Sequence, residues 1–136
     1  MSLFNTPRSA FYRPPPGQYI GEFVGIEEGP ASTRYPLKDG TPAPRVRWVW
    51  KLYNLDDTPF MDDGKQAEGD GLTSAATGPD SNAYKYFKAH GHTLAMGEDM
   101  DDALEAIEGS RVGLLYIPDD NDVTVGRLSV VMAHNG

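Results

Sequence analysis

The stretch that decides the fold is Arg45–Asn54, which reads RVRWVWKLYN. Apolar and polar side chains alternate along it with the period of two that is typical of a half-buried β-strand. The set expected to face the core is Val46, Trp48, Trp50 and Leu52. The set expected to face outward is Arg45, Arg47, Val49, Lys51 and Tyr53. A register shift of one residue would instead expose both tryptophans for stacking on bases, but the alternation favours the core.

The rest of the chain predicts four more strands around this one. They are expected at Gly17–Glu28, within Phe60–Ala76 (near Leu72–Ala76), at Arg111–Ile117 and at Val123–Met132. Gly21 and Gly25 in the first strand predict strong bending or a close backbone approach. The proline-containing segment Gly29–Pro44 predicts a long loop, and a loop of that length in a compact domain is often functional.

Two short helices are predicted between the third and fourth strands. Asn82–Ala89 follows a capping residue, Asp80 or Ser81, and is ended by Gly91. The second helix runs from about Asp99 to Ile107 and has acidic residues in its first turn, as the helix dipole favours. This order predicts a mainly β fold: a five-stranded OB-like barrel with a helical insert between strands three and four. An open half-barrel with a packed helix would give much the same pattern.

The chain of 136 residues fits one domain. We expect an extended Pro-rich arm at 1–16, one OB-like domain at 17–132 and a short tail at 133–136. No segment has the roughly 20 apolar residues of a membrane span, and the N-terminus lacks the apolar core of a signal peptide. The chain has no cysteine. These features predict a cytoplasmic protein that makes no use of a membrane.

Motifs for catalysis are absent from the sequence. The pairs Asp62-Asp63 and Asp101-Asp102 fit a turn and a helix start better than a metal or acid–base site. His90 and His92 lie one residue apart, but no third ligand is spaced near them, and structural zinc usually needs four. No nucleophile elbow or phosphate-binding loop is present. We therefore expect a protein that is not an enzyme and that has no metal and no small-molecule cofactor.

The formal net charge of −8 argues against a general polyanion binder, which usually shows a basic footprint. The cations are nevertheless segregated from the acids along the chain. The outward set of the Arg45–Asn54 strand combines cations with an aromatic ring, as single-strand binders do. The alternative is an ordinary solvated strand face whose cations protect an edge. The expected nucleic-acid-binding residues are Arg34, Tyr35, Lys38, Arg45, Arg47, Lys51 and Tyr53.

Several segments together resemble a family of small phage-encoded proteins with an OB-like barrel, regarded as single-stranded-DNA-binding or replication-associated. They are Gly17–Ile20, Arg45–Trp50, Ser81–Gly91 and Leu104–Val112, the last with the pattern helix, glycine, basic residue, valine strand. The resemblance implies single-stranded DNA as ligand and, for a phage-encoded protein, the host cytoplasm. The tail Ala133–Gly136 departs from such proteins because it lacks an acidic tip for recruiting partners.

Two functions follow as hypotheses. The first is a single-stranded nucleic-acid-binding module, with DNA as the expected ligand. The second is a non-catalytic protein-interaction or assembly module that uses the N-terminal arm and an acidic surface, with the arm joining copies into a homo-oligomer.

Overall fold

The computed structural model describes residues 13–32 and 37–134. The long strands are β1 (Gly17–Ser32), β2 (Ala43–Tyr53), β5 (Glu68–Ser74), β6 (Arg111–Pro118) and β7 (Gly126–Ala133). Two two-residue strands, β3 (Met61–Asp62) and β4 (Lys65–Gln66), form a separate hairpin. The helices are α1 (Asn82–Ala89) and α2 (Met100–Ile107), and both follow β5 and precede β6 in the chain.

The five long strands form one antiparallel sheet in the order β5-β2-β1-β6-β7. The first three strands of this sheet along the chain are β1, β2 and β5, and each pairs with the next. The fourth strand, β6, returns through the helices to lie beside β1. This arrangement is a Greek key, and β7 extends it by one hairpin.

The sheet does not close, so the expected five-stranded barrel is corrected to an open sheet. No ladder joins its edge strands β5 and β7 in the described part of the chain. Side chains still link β5 to the other end of the sheet: the hydroxyl of Tyr116 on β6 donates to the Asp70 carbonyl of β5 at 3.3 Å. The side chains of Tyr116 and of Leu128 on β7 lie against Gly69 and Gly71 of β5.

The tryptophans of β2 lie in the core, as the alternation predicts: Trp48 is 2 % exposed and Trp50 0 %. Phe87 of α1 and Ile107 of α2 pack in the same cluster. The long first strand approaches this core closely at Gly21. A Cβ there would lie 2.5 Å from the Leu114 side chain, so only glycine fits without a shift.

Local signals set both helices where they were predicted. The Ser81 side chain accepts from the backbone N–H of Tyr84 and caps α1. The Asp99 side chain accepts from the N–H groups of Asp101 and Asp102 and caps α2. These bonds satisfy donors that a helix start otherwise leaves unpaired.

Several boundaries differ from the prediction. β1 runs on to Ser32, β5 starts at Glu68, and β7 starts at Gly126 instead of Val123. The β3–β4 hairpin was not predicted, because strands of two residues show no periodicity. Its turn contains Asp63 and Gly64, both at positive φ, as a tight hairpin turn requires.

Of the predicted arm, residues 1–12 lie outside the described residues. The carbonyl of Pro14, which is buried, accepts from the N–H of Gly126 at 2.7 Å. The Pro15 carbonyl accepts from the Tyr19 hydroxyl, also at 2.7 Å. Residues just before β1 are therefore fixed against the sheet. No helix in residues 13–32 and 37–134 has the length and apolar character to span a membrane.

Candidate nucleic-acid interface

The outward side chains of β2 lie on the face of the sheet opposite the tryptophans. The predicted residues on this strand are therefore brought together on one surface, but each has a different environment. Lys51 is exposed, while Arg45 and Tyr53 are half-buried. Lys38 is exposed in the loop before β2, whereas Arg34 and Tyr35 lie outside the described residues.

Arg47 is on this outward face but is only 8 % exposed, so it differs from the solvated cation expected from the sequence. Its Nε donates to the Asp70 carboxylate of β5 at 2.7 Å, and its Nη1 forms an ion pair with Glu27 of β1. Burial alone would lower the pKa of Arg47, but hydrogen bonds and charge interactions with Asp70 and Glu27 outweigh it and raise that pKa. The guanidinium therefore stays charged and joins three strands.

Lys51 also has acidic neighbours. In the strand register it lies between Glu22 of β1 and Glu68 of β5. Arg45 is held differently, since its Nε donates to the Pro30 carbonyl at 2.6 Å. Cations and carboxylates therefore alternate across β1, β2 and β5. This face carries a near-balanced pattern of charge in place of a continuous positive strip.

Arg111 belongs to this surface and was missed from the sequence. It starts β6, and its guanidinium lies over the Tyr53 ring, 4.2 Å from the centroid. Its Nε donates to Glu22 at 3.3 Å and its Nη1 to Asp57 at 3.0 Å. A cation over an aromatic ring is a favourable contact. The β1–β2 and β1–β6 registers together bring Arg111 to Tyr53, and no local sequence pattern indicates those registers.

His90 is buried and belongs to a chain of hydrogen bonds. Its Nε2 accepts from the Trp50 indole N–H at 3.1 Å, and its Nδ1 lies 2.7 Å from the Ser110 hydroxyl, which donates to the Ile107 carbonyl. Burial lowers the pKa of His90 to about 4. A neutral ring with little access to solvent fits a structural role.

The other residues considered for chemistry also occupy structural positions. His92 Nε2 lies 2.6 Å from a Glu98 carboxylate oxygen. Asp101 is in the first turn of α2, and Asp63 is in the β3–β4 turn. Within the described ranges, no group of three His, Asp or Glu side chains is placed to hold a metal ion.

The geometry thus offers one outward surface on β1, β2 and β5, with Arg111 and Tyr53 at its border. Comparison with known proteins adds no relative to this description. No protein-family model, no curated protein and no solved structure matches the chain.

Proposed function

We propose that this protein is an OB-like single-stranded nucleic-acid-binding module whose ligand is single-stranded DNA. The resemblance of its motifs to phage-type replication proteins extends the proposal to a role in phage replication or recombination. The protein acts by binding, with no catalytic step.

The observation that carries the proposal is the strand order β5-β2-β1-β6-β7 with both helices between β5 and β6. An OB-fold is a five-stranded Greek-key barrel that is often partly open. Its ligands cross the second and third strands and the loops beside them, which correspond here to β2, β5 and the loop before β2. The outward face of β2, with Arg45, Arg47, Lys51 and Tyr53, is called the β2 surface. We expect the ligand to bind there, because the OB-fold ligand track crosses the same strand.

The contacts on this surface favour modest affinity. Arg47 is already paired with Glu27 and Asp70 and is mostly buried, so it supplies shape and rigidity more than contact with phosphates. Lys51 is exposed and has no ion-pair partner among the described residues. Tyr53 offers part of its ring for stacking beside the Arg111 guanidinium.

The test is a fluorescence-anisotropy titration of dye-labelled oligo-dT at low salt, with duplex DNA of the same length as competitor. The dye must be on the DNA because Trp48 and Trp50 are buried and will not report contact with bases. Binding of oligo-dT at micromolar protein with weak competition by duplex supports the proposal. No anisotropy change at that concentration overturns it.

The second candidate is a protein-interaction or assembly module. It is favoured by one observation, the alternation of Glu27, Arg47 and Asp70, which neutralises the surface that nucleic acid would need. Deleting residues 1–12 should then change the oligomeric state measured by light scattering. If the deletion leaves the molar mass unchanged and oligo-dT still binds, the nucleic-acid function stands and this one fails.

A further inference from the structure

A second basic region is centred on α1 and meets the outward surface of β2 at Arg111. The segment Ser81–Gly97 contains no aspartate or glutamate, although the whole chain has a net charge of −8. It contains Lys85 and Lys88, both exposed on α1. Residues three apart lie on the same side of a helix, so this side of α1 is basic.

The C-terminal end of α1 borders an open cleft of about 430 Å³. Basic residues from three parts of the fold line it: Lys88 of α1, Arg111 at the start of β6, and His134, the residue after β7. None of the described residues that line it is acidic. Its remaining walls are Ala89, His90, Gly91, Ser110 and Ala133.

The walls of the cleft are held in place by hydrogen bonds. The His90 ring contacts the Ser110 hydroxyl at 2.7 Å, which joins the end of α1 to the start of β6. The backbone N–H of Phe23 donates to the Ser110 carbonyl at 2.9 Å, which fixes that start against β1. A binding group in the cleft would therefore meet a preformed surface.

Two features of the cleft oppose the binding of an anion, so we expect the binding to be weak. The end of α1 carries the partial negative charge of a helix C-terminus, which Lys88 offsets. Arg111 already pairs with Glu22 and with Asp57, but the Asp57 side chain is 68 % exposed. The Arg111–Asp57 pair is exposed and therefore weak, so a phosphate oxygen can replace the Asp57 carboxylate at the guanidinium.

We propose that this cleft binds a phosphate group through Lys88, Arg111 and the imidazole of His134. Phosphate is a suitable ligand for a guanidinium and an ammonium whose residues line one cleft from different elements. This identification of the ligand rests on the proposed function: the bound phosphate is a backbone phosphate of the single-stranded DNA. Arg111 also touches Tyr53, so a strand that crosses β2 at Tyr53 continues into the cleft.

The test is an NMR titration of backbone amides with inorganic phosphate, repeated with oligo-dT and, as an ionic-strength control, with sodium chloride. The informative variant is Lys88→Glu. Its matched control is Lys85→Glu, which makes the same change on the same helix but does not line the cleft. Both positions are exposed and glutamate is a good helix former, so both variants should fold.

We expect saturable shifts at Lys88–Gly91 and Ser110–Arg111 with phosphate or with oligo-dT. Lys88→Glu should weaken them about tenfold, equivalent to about 1.4 kcal/mol, and Lys85→Glu less than about twofold. Equal effects of the two variants, or shifts with neither ligand, overturn the site. Shifts with phosphate alone keep the site and reject the nucleic-acid function. Oligo-dT binding that is equally sensitive to both variants keeps the function and rejects the site.

Discussion

The indole N–H of Trp50 donates to His90 Nε2 across 3.1 Å inside the core. This bond requires a lone pair on Nε2, so the ring is neutral and carries its proton on Nδ1, toward the Ser110 hydroxyl. Protonation would remove the acceptor and leave the Trp50 donor unpaired in the core. The hydrogen bond between these two core side chains, which are 40 residues apart in sequence, therefore depends on pH.

We expect stability to fall in acid because of His90. Above its ordinary pKa of 6.5 the ring is neutral in both the folded and unfolded states. Between 6.5 and about 4 the unfolded chain binds a proton that the folded protein does not, so the free energy of unfolding decreases as the pH falls. At 1.36 kcal/mol per pKa unit the full loss is roughly 3 kcal/mol.

Urea unfolding of the wild type and of His90→Gln across this pH range measures the effect. Glutamine can accept from Trp50 and donate to Ser110 but does not titrate. The wild type should lose its advantage over the variant as the pH falls from 6.5 to about 4. Carboxylates change the free energy of unfolding of both proteins with pH, so the effect of His90 is the difference between the two curves. Parallel curves would show that His90 does not carry the effect.

Removal of the Arg47 side chain should reduce stability, because Glu27 and Asp70 would lose their shared cation. Both carboxylates retain some contact with solvent, so we expect Arg47→Ala to cost about 1–3 kcal/mol. Lys51→Ala on the same strand should change the free energy of unfolding by less than about 0.5 kcal/mol. Chemical denaturation of both variants checks this, and equal costs would contradict the buried role of Arg47.

The same two variants separate folding from binding. Lys51→Ala should weaken oligo-dT binding severalfold while the protein stays folded, because Lys51 is the exposed cation on the β2 surface. The measurement is anisotropy at one fixed low salt concentration, with circular dichroism to verify folding. Unchanged affinity would place the ligand elsewhere on the protein.

Glycine at position 21 should be essential for packing. A Cβ there meets Leu114 at 2.5 Å and the Trp50 Cβ at 3.0 Å, so Gly21→Ala should cost about 1–3 kcal/mol. Gly25 lies in the same strand, but a Cβ at that position would have no neighbouring atom within 4 Å. Gly25→Ala should therefore change stability by less than about 1 kcal/mol. Thermal unfolding of the pair checks this; similar melting temperatures would argue against the close approach at Gly21.

Short-range patterns explain what the sequence could predict. The alternation in β2 places Trp48 and Trp50 in the core, and capping residues next to each helix set its start. Long-range pairing explains the rest. Glu27 and Asp70 lie 20 and 23 residues from Arg47 in the sequence, so no local pattern around Arg47 predicts its burial. The sequence also left the closed barrel and the open half-barrel as alternatives, because closure depends on long-range pairing between β5 and β7.

The most direct test of the proposed function is the salt dependence of oligo-dT binding by the wild type. A few exposed cations predict a shallow slope of log K against log salt, roughly −1.4 to −2.8 if two to four phosphates are contacted, at about 0.7 per phosphate. A slope in that range, from anisotropy titrations between about 50 and 200 mM salt, is the result that the proposed interface predicts. No binding at the lowest salt, or binding that does not weaken with salt, would contradict it.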